Sequence, residues 1–288
     1  MLSASSSASA PGGEFQFTDS DFDRVRKLIY RHAGIALSES KRHLVYSRIG
    51  RRLRTLGLSR FNDYLELLEG ENPAEWELFT NALTTNLTAF FREEHHFPIL
   101  AEHLRSIGTR RPITLWCAAC STGEEAYSLA ITAAETFNTL PPPVRILATD
   151  VDTSVLAKAE CAVYGADRVE RLSPERLRRF FLKGSGAHAG EVKARAELCE
   201  SITFRQINLL DERWPVRGPL DAIFCRNVMI YFDKATQYAI LAKFAPLLRD
   251  DGLLFAGHSE SLYHAADLFR ARGKTVYELA SRRRRNGP

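Results

Sequence analysis

The sequence is poor in the features that mark several large classes of protein. Its five cysteines are an odd number and are not spaced like a disulfide framework. No apolar run approaches the roughly 18 residues of a membrane-spanning helix. The first dozen residues, MLSASSSASAPG, have neither the basic start nor the apolar stretch of a secretory signal. G-x-G-x-x-G and G-x-x-x-x-G-K-[ST] are both missing, which disfavours a nicotinamide-dependent dehydrogenase and a P-loop nucleotidase. Neither sign of charge dominates: 39 Lys and Arg stand against 35 Asp and Glu, and a net +4 demands no polyanionic partner. Internal repeats are absent too. What remains is a reduced, soluble chain expected in the cytoplasm.

With 288 residues, 45% of them hydrophobic and 26% charged, the chain has globular composition and length enough for two domains. Residues 1–14 are rich in Ser, Ala and Gly and are expected to form a disordered tail. Residues 15–88 are patterned as helices. Asp19 and Ser20 are cap candidates ahead of Phe22, Val25, Leu28 and Ile29. Ser38 or Ser40 opens a segment with Val45, Ile49, Leu53 and Leu56 on one face, closed by Gly57. Phe61 to Leu68 and Trp76 to Leu83 continue the style, giving a small all-α domain; residues 89–111 then serve as a linker. From residue 112 to 288 the grammar is α/β. The runs ITLWCAAC, VRILATD, ITFRQINLL, LDAIFCRN, GLLFAGH and TVYELA alternate with the helices STGEEAYSLAITAAETF, TSVLAKAEC and DKATQYAILAKFAPLLR, which predicts a parallel sheet with right-handed crossovers. Residues 165–200, containing GSGAHAGE, break that rhythm and are expected to be an insert. The final SRRRRNGP is expected to be a solvated end.

In an open parallel sheet, ligands bind beyond the carboxyl ends of the strands. Two features fall there. In CAACSTGEE the small residues Ala118, Ala119, Ser121 and Gly123 let a ligand approach the backbone ahead of a helix N-terminus. Asp150, which ends the next strand 27 residues beyond Gly123, suits the two hydroxyls of a ribose. Glu124 and Glu125 would repel a pyrophosphate but would pair with an amine. A nucleoside that carries an amino group and no phosphate fits S-adenosyl-L-methionine (SAM). Three other constellations are weaker. Trp116-Cys117-Ala118-Ala119-Cys120 has thioredoxin-like spacing, but on a strand rather than at a helix N-terminus, so these cysteines are expected to be core or pocket lining. His95 and His96 are adjacent and should face apart, so no metal is expected. His258, Ser259 and Glu260 contain the residue types of a hydrolase triad, but neighbours in a row cannot adopt that geometry.

The blocks TTNLTAFFREEHHFPIL, STGEEAYSLAIT, FCRNVMIYFDK and GLLFAGHSES resemble the CheR family of chemotaxis receptor protein-glutamate methyltransferases, over about Phe22 to Leu279. The resemblance implies a Rossmann-like SAM-dependent α/β domain with a small inserted β-subdomain, preceded by an all-α domain. It implies methylation of glutamate side chains on chemoreceptors, with S-adenosyl-L-homocysteine as product and no metal. It also implies roles for individual residues. Asn86, Thr88 and Arg92 belong to a block that lies over the cofactor, and residues 89–111 form a linker that helps to cover it. Glu125, with Glu124 as the alternative, holds the cofactor and Asp150 the ribose. Asn208 and Leu209 flank the adenine, while Arg226 and Asn227 lie near the methionine portion. Arg92 and Tyr231 act on the substrate carboxylate. Without the family, Arg92 reads as a structural ion pair with Glu93 or Glu94, and Tyr231 as a core-edge tyrosine.

Residues 41–60 hold seven Lys and Arg and no Asp or Glu, with Arg48, Arg51 and Arg54 facing away from the apolar stripe. Such a run is usually a solvated face. Against a glutamate-rich receptor helix it becomes a candidate docking surface. The insert resembles the family's β-subdomain, which in some members tethers a peptide at the receptor C-terminus. The partners implied are chemoreceptors, with no nucleic acid and no membrane insertion, and a monomer is expected. The alternatives are a SAM-dependent enzyme acting on RNA or a small carboxylate, and a non-catalytic SAM-sensing module.

Overall fold

A computed structural model describes residues 14–70 and 72–280, and the chain divides into two compact units between Thr85 and Asn86. Residues 1–13 of the expected tail and the arginine run near the C-terminus lie outside the described residues.

Among its described residues the first unit holds four α-helices: α1 (Asp19–Ala33), α2 (Arg42–Leu56), α3 (Phe61–Glu69) and α4 (Pro73–Leu83). The cap of α1 is Thr18, one residue before the expected Asp19. Its hydroxyl accepts the Asp21 N–H at 3.1 Å while the Asp21 carboxylate accepts the Thr18 N–H at 2.8 Å. This reciprocal box satisfies two N–H groups at once. Phe22, Val25, Ile29, Val45, Ile49, Leu53, Phe61, Leu65 and Phe79 form the core. Leu56, expected on the buried stripe, is exposed because α2 ends there and Gly57 turns the chain away at φ 68°. One polar cluster is folded into this apolar interior. Glu75 receives Arg52 at 2.8 Å and the Tyr64 hydroxyl at 2.9 Å, tying α2, α3 and α4 together.

The second unit begins before the sheet. The segment expected as a linker carries α5 (His96–Ile107). There follow β1 (Ile113–Ala118), α6 (Glu124–Phe137), β2 (Val144–Asp150), α7 (Thr153–Cys161), β3 (Val163–Gly165), α8 (Pro174–Phe180), β4 (Phe181–Lys183), β5 (Glu191–Ala194), α9 (Ala196–Cys199), β6 (Ile202–Gln206), β7 (Leu220–Cys225), α10 (Lys234–Phe244), β8 (Leu248–Phe255), β9 (Phe269–Gly273) and β10 (Val276–Leu279). The main sheet has the order β6-β2-β1-β7-β8-β10-β9. Its first five strands are parallel, but β10 runs antiparallel to β8 and β9 antiparallel to β10, so the sheet is mixed rather than wholly parallel. Both faces are covered. Leu115 and Cys117 face the core shared with α5 and α6, while Trp116 and Ala118 face the one shared with α10, as the two-residue repeat of a strand requires. From β1 the chain steps outward through β2 and β6, then returns to β7 on the other side, and the crevice at that reversal is where a ligand fits. The insert is a three-stranded antiparallel sheet, β3-β5-β4, with Gly184 to Gly190 joining β4 to β5.

Removing one partner from a buried ionic cluster strands the others. Glu75→Ala should therefore destabilise the helical unit by about 3 kcal/mol in urea unfolding.

Candidate active site

The turn from β1 into α6 is built for close approach. Ala119, Ser121 and Gly123 all have positive φ, 61°, 49° and 94°. A side chain at Gly123 would meet the Tyr164 hydroxyl and Ala159 Cβ at 2.9 Å. The two glutamates that follow have separate fates. Glu124 is fully buried, paired with the Arg168 guanidinium and hydrogen-bonded by the Thr122 hydroxyl at 2.6 Å. Glu125 turns toward the sheet end, where one oxygen accepts the Cys117 thiol at 3.2 Å and the other accepts Arg226 Nη1 at 2.7 Å.

Asp150 closes β2 across the crevice. Its two oxygens accept the N–H groups of Ser121 at 2.8 Å and Asp152 at 3.0 Å. Burial pushes its pKa up to about 6 against the pull of these hydrogen bonds. Asn86 approaches from the covering segment. Its side chain donates to Asp152 at 2.8 Å and its carbonyl accepts the Ser121 hydroxyl at 3.1 Å. Further along that segment Arg168 donates to the Thr88 carbonyl at 3.1 Å, and the Phe91 N–H donates to Ser128 Oγ at 2.9 Å. Asn208 and Leu209 follow β6, beyond the Ile207 N–H that donates to the Asp150 carbonyl at 3.0 Å. The Asn208 side chain caps its own turn through Leu210 N–H at 3.0 Å, and Leu209 is buried in the Trp116 core.

Arg226, at the end of β7, joins these pieces. It is buried, and its Nη2 donates to the Arg92 carbonyl at 2.5 Å and lies 3.2 Å from Glu93 Oε2. Glu93 is thus paired with Arg226 and with His258 at 3.0 Å rather than with its neighbour Arg92. Burial opposes its charge, but the His258 hydrogen bond and the Arg226 guanidinium outweigh it and hold the carboxyl down at about 2. The Asn227 side chain also donates to Glu93, at 3.2 Å. The Arg92 guanidinium turns instead to the Leu87 carbonyl at 2.8 Å. Tyr231, half-buried, ends a 3₁₀ turn over Met229–Tyr231.

The weaker constellations resolve in the same framework. Cys117 and Cys120 are buried and burial pushes both thiols up, the opposite of a redox-active cysteine. His95 and His96, expected to face apart, lie with Glu93 so that their ligand atoms are within 4.8 Å of one another, because α5 starts at this point from a left-handed turn at Glu93. His96 is a buried neutral imidazole, lowered to about 4 by burial and then by Arg226, and the adjoining guanidinium opposes a bound cation. His258 and Glu260 go to different partners and form no triad. Sequence reasoning gave no role to Glu93, Arg168 or Glu260, which the fold brings against Arg226, Glu124 and the Asn227 N–H. Only their position inside the family blocks marked Glu93 and Glu260, and nothing marked Arg168.

In the helical unit the three expected docking arginines differ. Arg48 donates to the Ala82 carbonyl at 3.1 Å and also to that of Thr84, capping the end of α4, so it is not a free surface charge. Arg54 pairs with Glu14 at 2.9 Å on an exposed face, and Arg51 is exposed.

A buried carboxylate at the end of the second strand can accept ribose hydroxyls, and a second carboxylate at the head of α6 can accept an amine. Small residues lie between them and no phosphate-binding glycine loop is present, so the residues fit SAM and define a SAM-dependent methyltransferase site. The chain belongs to the CheR methyltransferase family: residues 20–84 match its all-alpha domain and residues 86–278 its SAM binding domain. It is 53% identical over 264 residues to the chemotaxis protein methyltransferase of Salmonella typhimurium, covering 91% of each chain. It is 53% identical over 268 residues to chemotaxis protein methyltransferase 2 of Pseudomonas aeruginosa, covering 93% of this chain and 95% of that one. The Escherichia coli chemotaxis protein methyltransferase is 51% identical over 264 residues, 91% of this chain and 92% of the relative. The protein is therefore a SAM-dependent chemotaxis methyltransferase. Among the described residues no helix is long and apolar enough to cross a membrane.

Ribose hydroxyls accepted by Asp150 would favour its ionised form. The affinity contribution would then be present above pH 6 and lost as pH falls through that value, by up to about tenfold per unit. Calorimetric titration with S-adenosyl-L-homocysteine between pH 8 and pH 5 should show this loss, and Asp150→Asn should bind weakly throughout with a flat profile.

Proposed function

We propose that the protein methylates glutamate side chains on the cytoplasmic helical bundle of chemoreceptors, giving γ-methyl esters and S-adenosyl-L-homocysteine, as part of sensory adaptation. It would act in the cytoplasm as a monomer. The observation that carries this reading is Arg92. Arg168 and Arg226 are each neutralised by glutamates, yet the half-buried Arg92 guanidinium has a carbonyl and no carboxylate as partner among the described residues. A substrate carboxylate supplies the missing charge.

When bound, SAM supplies an electrophilic methyl group. Asp150 holds its ribose, Glu125 its amine, Asn208 and Leu209 its adenine, and Asn86 and Thr88 cover it. Arg226 keeps Glu125 oriented through the 2.7 Å pair, and Asn227 sits beside it. A substrate glutamate is ionised at neutral pH, its ordinary pKa being about 4.3. No general base is required, and the protein contributes orientation and the exclusion of water. Arg92 holds one carboxylate oxygen by a charge-assisted hydrogen bond, offsetting desolvation. Tyr231 steers the same group. Neither contact should be very tight, since over-stabilising the carboxylate blunts its attack. The exposed Arg51 and Arg54 steer the glutamate-rich receptor helix, and an edge of the β3-β5-β4 sheet tethers a receptor C-terminal peptide by strand addition.

Transfer of labelled methyl from SAM to chemoreceptor-containing membranes tests the assignment. Base-labile label should appear on the receptor and fall about a hundredfold in Arg92→Ala and about tenfold in Tyr231→Phe. A wild type that binds SAM and labels no receptor would refute the substrate. Arg51→Ala with Arg54→Ala should raise the receptor KM several-fold at low salt, and the gap should close at high salt. An unchanged KM would remove the docking role.

A further inference from the structure

Glu260 is nearly inaccessible, and its carboxylate is spent wholly on backbone. One oxygen accepts the N–H groups of Gly257 at 2.6 Å and Asn227 at 2.8 Å; the other accepts the Ile230 N–H at 3.3 Å. Three donors converging from two loops make an anion cup, in which a carboxylate with four lone-pair sites is the one side chain that satisfies all of them. The cup joins the loop after β8 to the loop after β7, where Asn227 holds a left-handed φ of 59°, a conformation asparagine tolerates better than most side chains. The far side of the same turn is held by Gln237 of α10, whose amide donates to the carbonyls of Met229 at 2.8 Å and Phe232 at 3.0 Å. The N–H groups at the head of the turn therefore go to Glu260 and the carbonyls at its foot to Gln237, with Tyr231 between them. The Tyr277 hydroxyl, 3.4 Å from the Glu260 carbonyl, supports the cup from β10.

We propose that Glu260 is a positioning residue for methyl transfer, holding the Asn227–Tyr231 turn so that Tyr231 meets the substrate carboxylate. The inference rests on the role given to Tyr231 above. It explains a glutamate whose sequence setting, His258-Ser259-Glu260, suggested hydrolase chemistry that the geometry rules out. Gln in place of Glu260 keeps the volume but turns one acceptor into a donor facing an N–H, which opens one side of the cup.

The test compares wild type, Glu260→Gln, Tyr231→Phe and the double variant, by single-turnover methyl transfer to receptor and by calorimetric SAM binding. Wild-type transfer that slows in Tyr231→Phe establishes the underlying reading independently. Glu260→Gln should then lower the transfer rate at least tenfold, leave the SAM dissociation constant within about threefold, and make Tyr231→Phe nearly silent in the double variant. A transfer rate within twofold of wild type, or losses that multiply in the double variant, would overturn the proposal. Should Glu260→Gln fold poorly, Gly257→Ala provides the second arm. Its Cβ would lie 2.4 Å from Asn227 Nδ2, 2.9 Å from the Asn227 nitrogen and 2.9 Å from Glu260 Oε2, so it spreads the cup while leaving the Glu260 charge in place. The same signature is expected, and normal transfer by a folded Gly257→Ala would equally refute the role.

Discussion

A single guanidinium holds the catalytic end of the sheet together. Arg226, the residue after β7, is buried among groups that would be unstable without it: the carboxylates of Glu125 and Glu93 and the carbonyl of Arg92. Those groups come from two parts of the site. Glu125 opens α6, and Glu93 and Arg92 lie in the covering segment. A lysine would offer a compact point charge, whereas the wide planar fork of arginine reaches acceptors on separate segments in a fixed geometry. The pairing decides which charges stay available. Glu93 is drawn away from Arg92, which leaves the Arg92 guanidinium with the Leu87 carbonyl alone among the described residues.

The two ends of the sheet divide the work. At the amino end of β7 the buried Asp221 gathers Arg111 at 2.6 Å, Arg249 at 3.1 Å and the Thr114 N–H at 2.8 Å, a clamp that joins β1, β7 and β8. At the carboxyl ends the side chains are aimed at loops, three of the residues in the β1–α6 turn have positive φ, and Asp150 is kept near its titration point by burial. Rigidity at one end lets the other carry backbone conformations that a loosely held loop would relax.

Much of this was legible from the chain because two-sided burial writes itself plainly. LDAIFC is buried at every position, and such runs can only be central strands. Asp150 was legible because a strand end followed by a helix leaves few places for a buried acid. The pairing of Glu124 with Arg168 was not, since Arg168 lies 44 residues away from Glu124 and is unmarked by any local pattern. Arg92 beside Glu93 looked like an ion pair, but Glu93 has φ 56°, which sends the two side chains to different partners. The β9–β10 hairpin hid its first strand because FRARG is a polar edge and its turn is Lys274-Thr275, without the glycine or asparagine that usually signals positive φ. Arg48 illustrates the limit of a helical wheel. Pointing away from one apolar face did not make it solvent-facing, because the end of α4 was waiting there with open carbonyls.

The most direct measurement is SAM affinity and methyl-transfer rate in Arg226→Lys, with circular dichroism to verify the fold. If one guanidinium sets both the cofactor carboxylate and the covering segment, affinity and rate should each fall at least about tenfold while the protein remains folded. A folded Arg226→Lys with SAM affinity and transfer rate both within twofold of wild type would contradict the account.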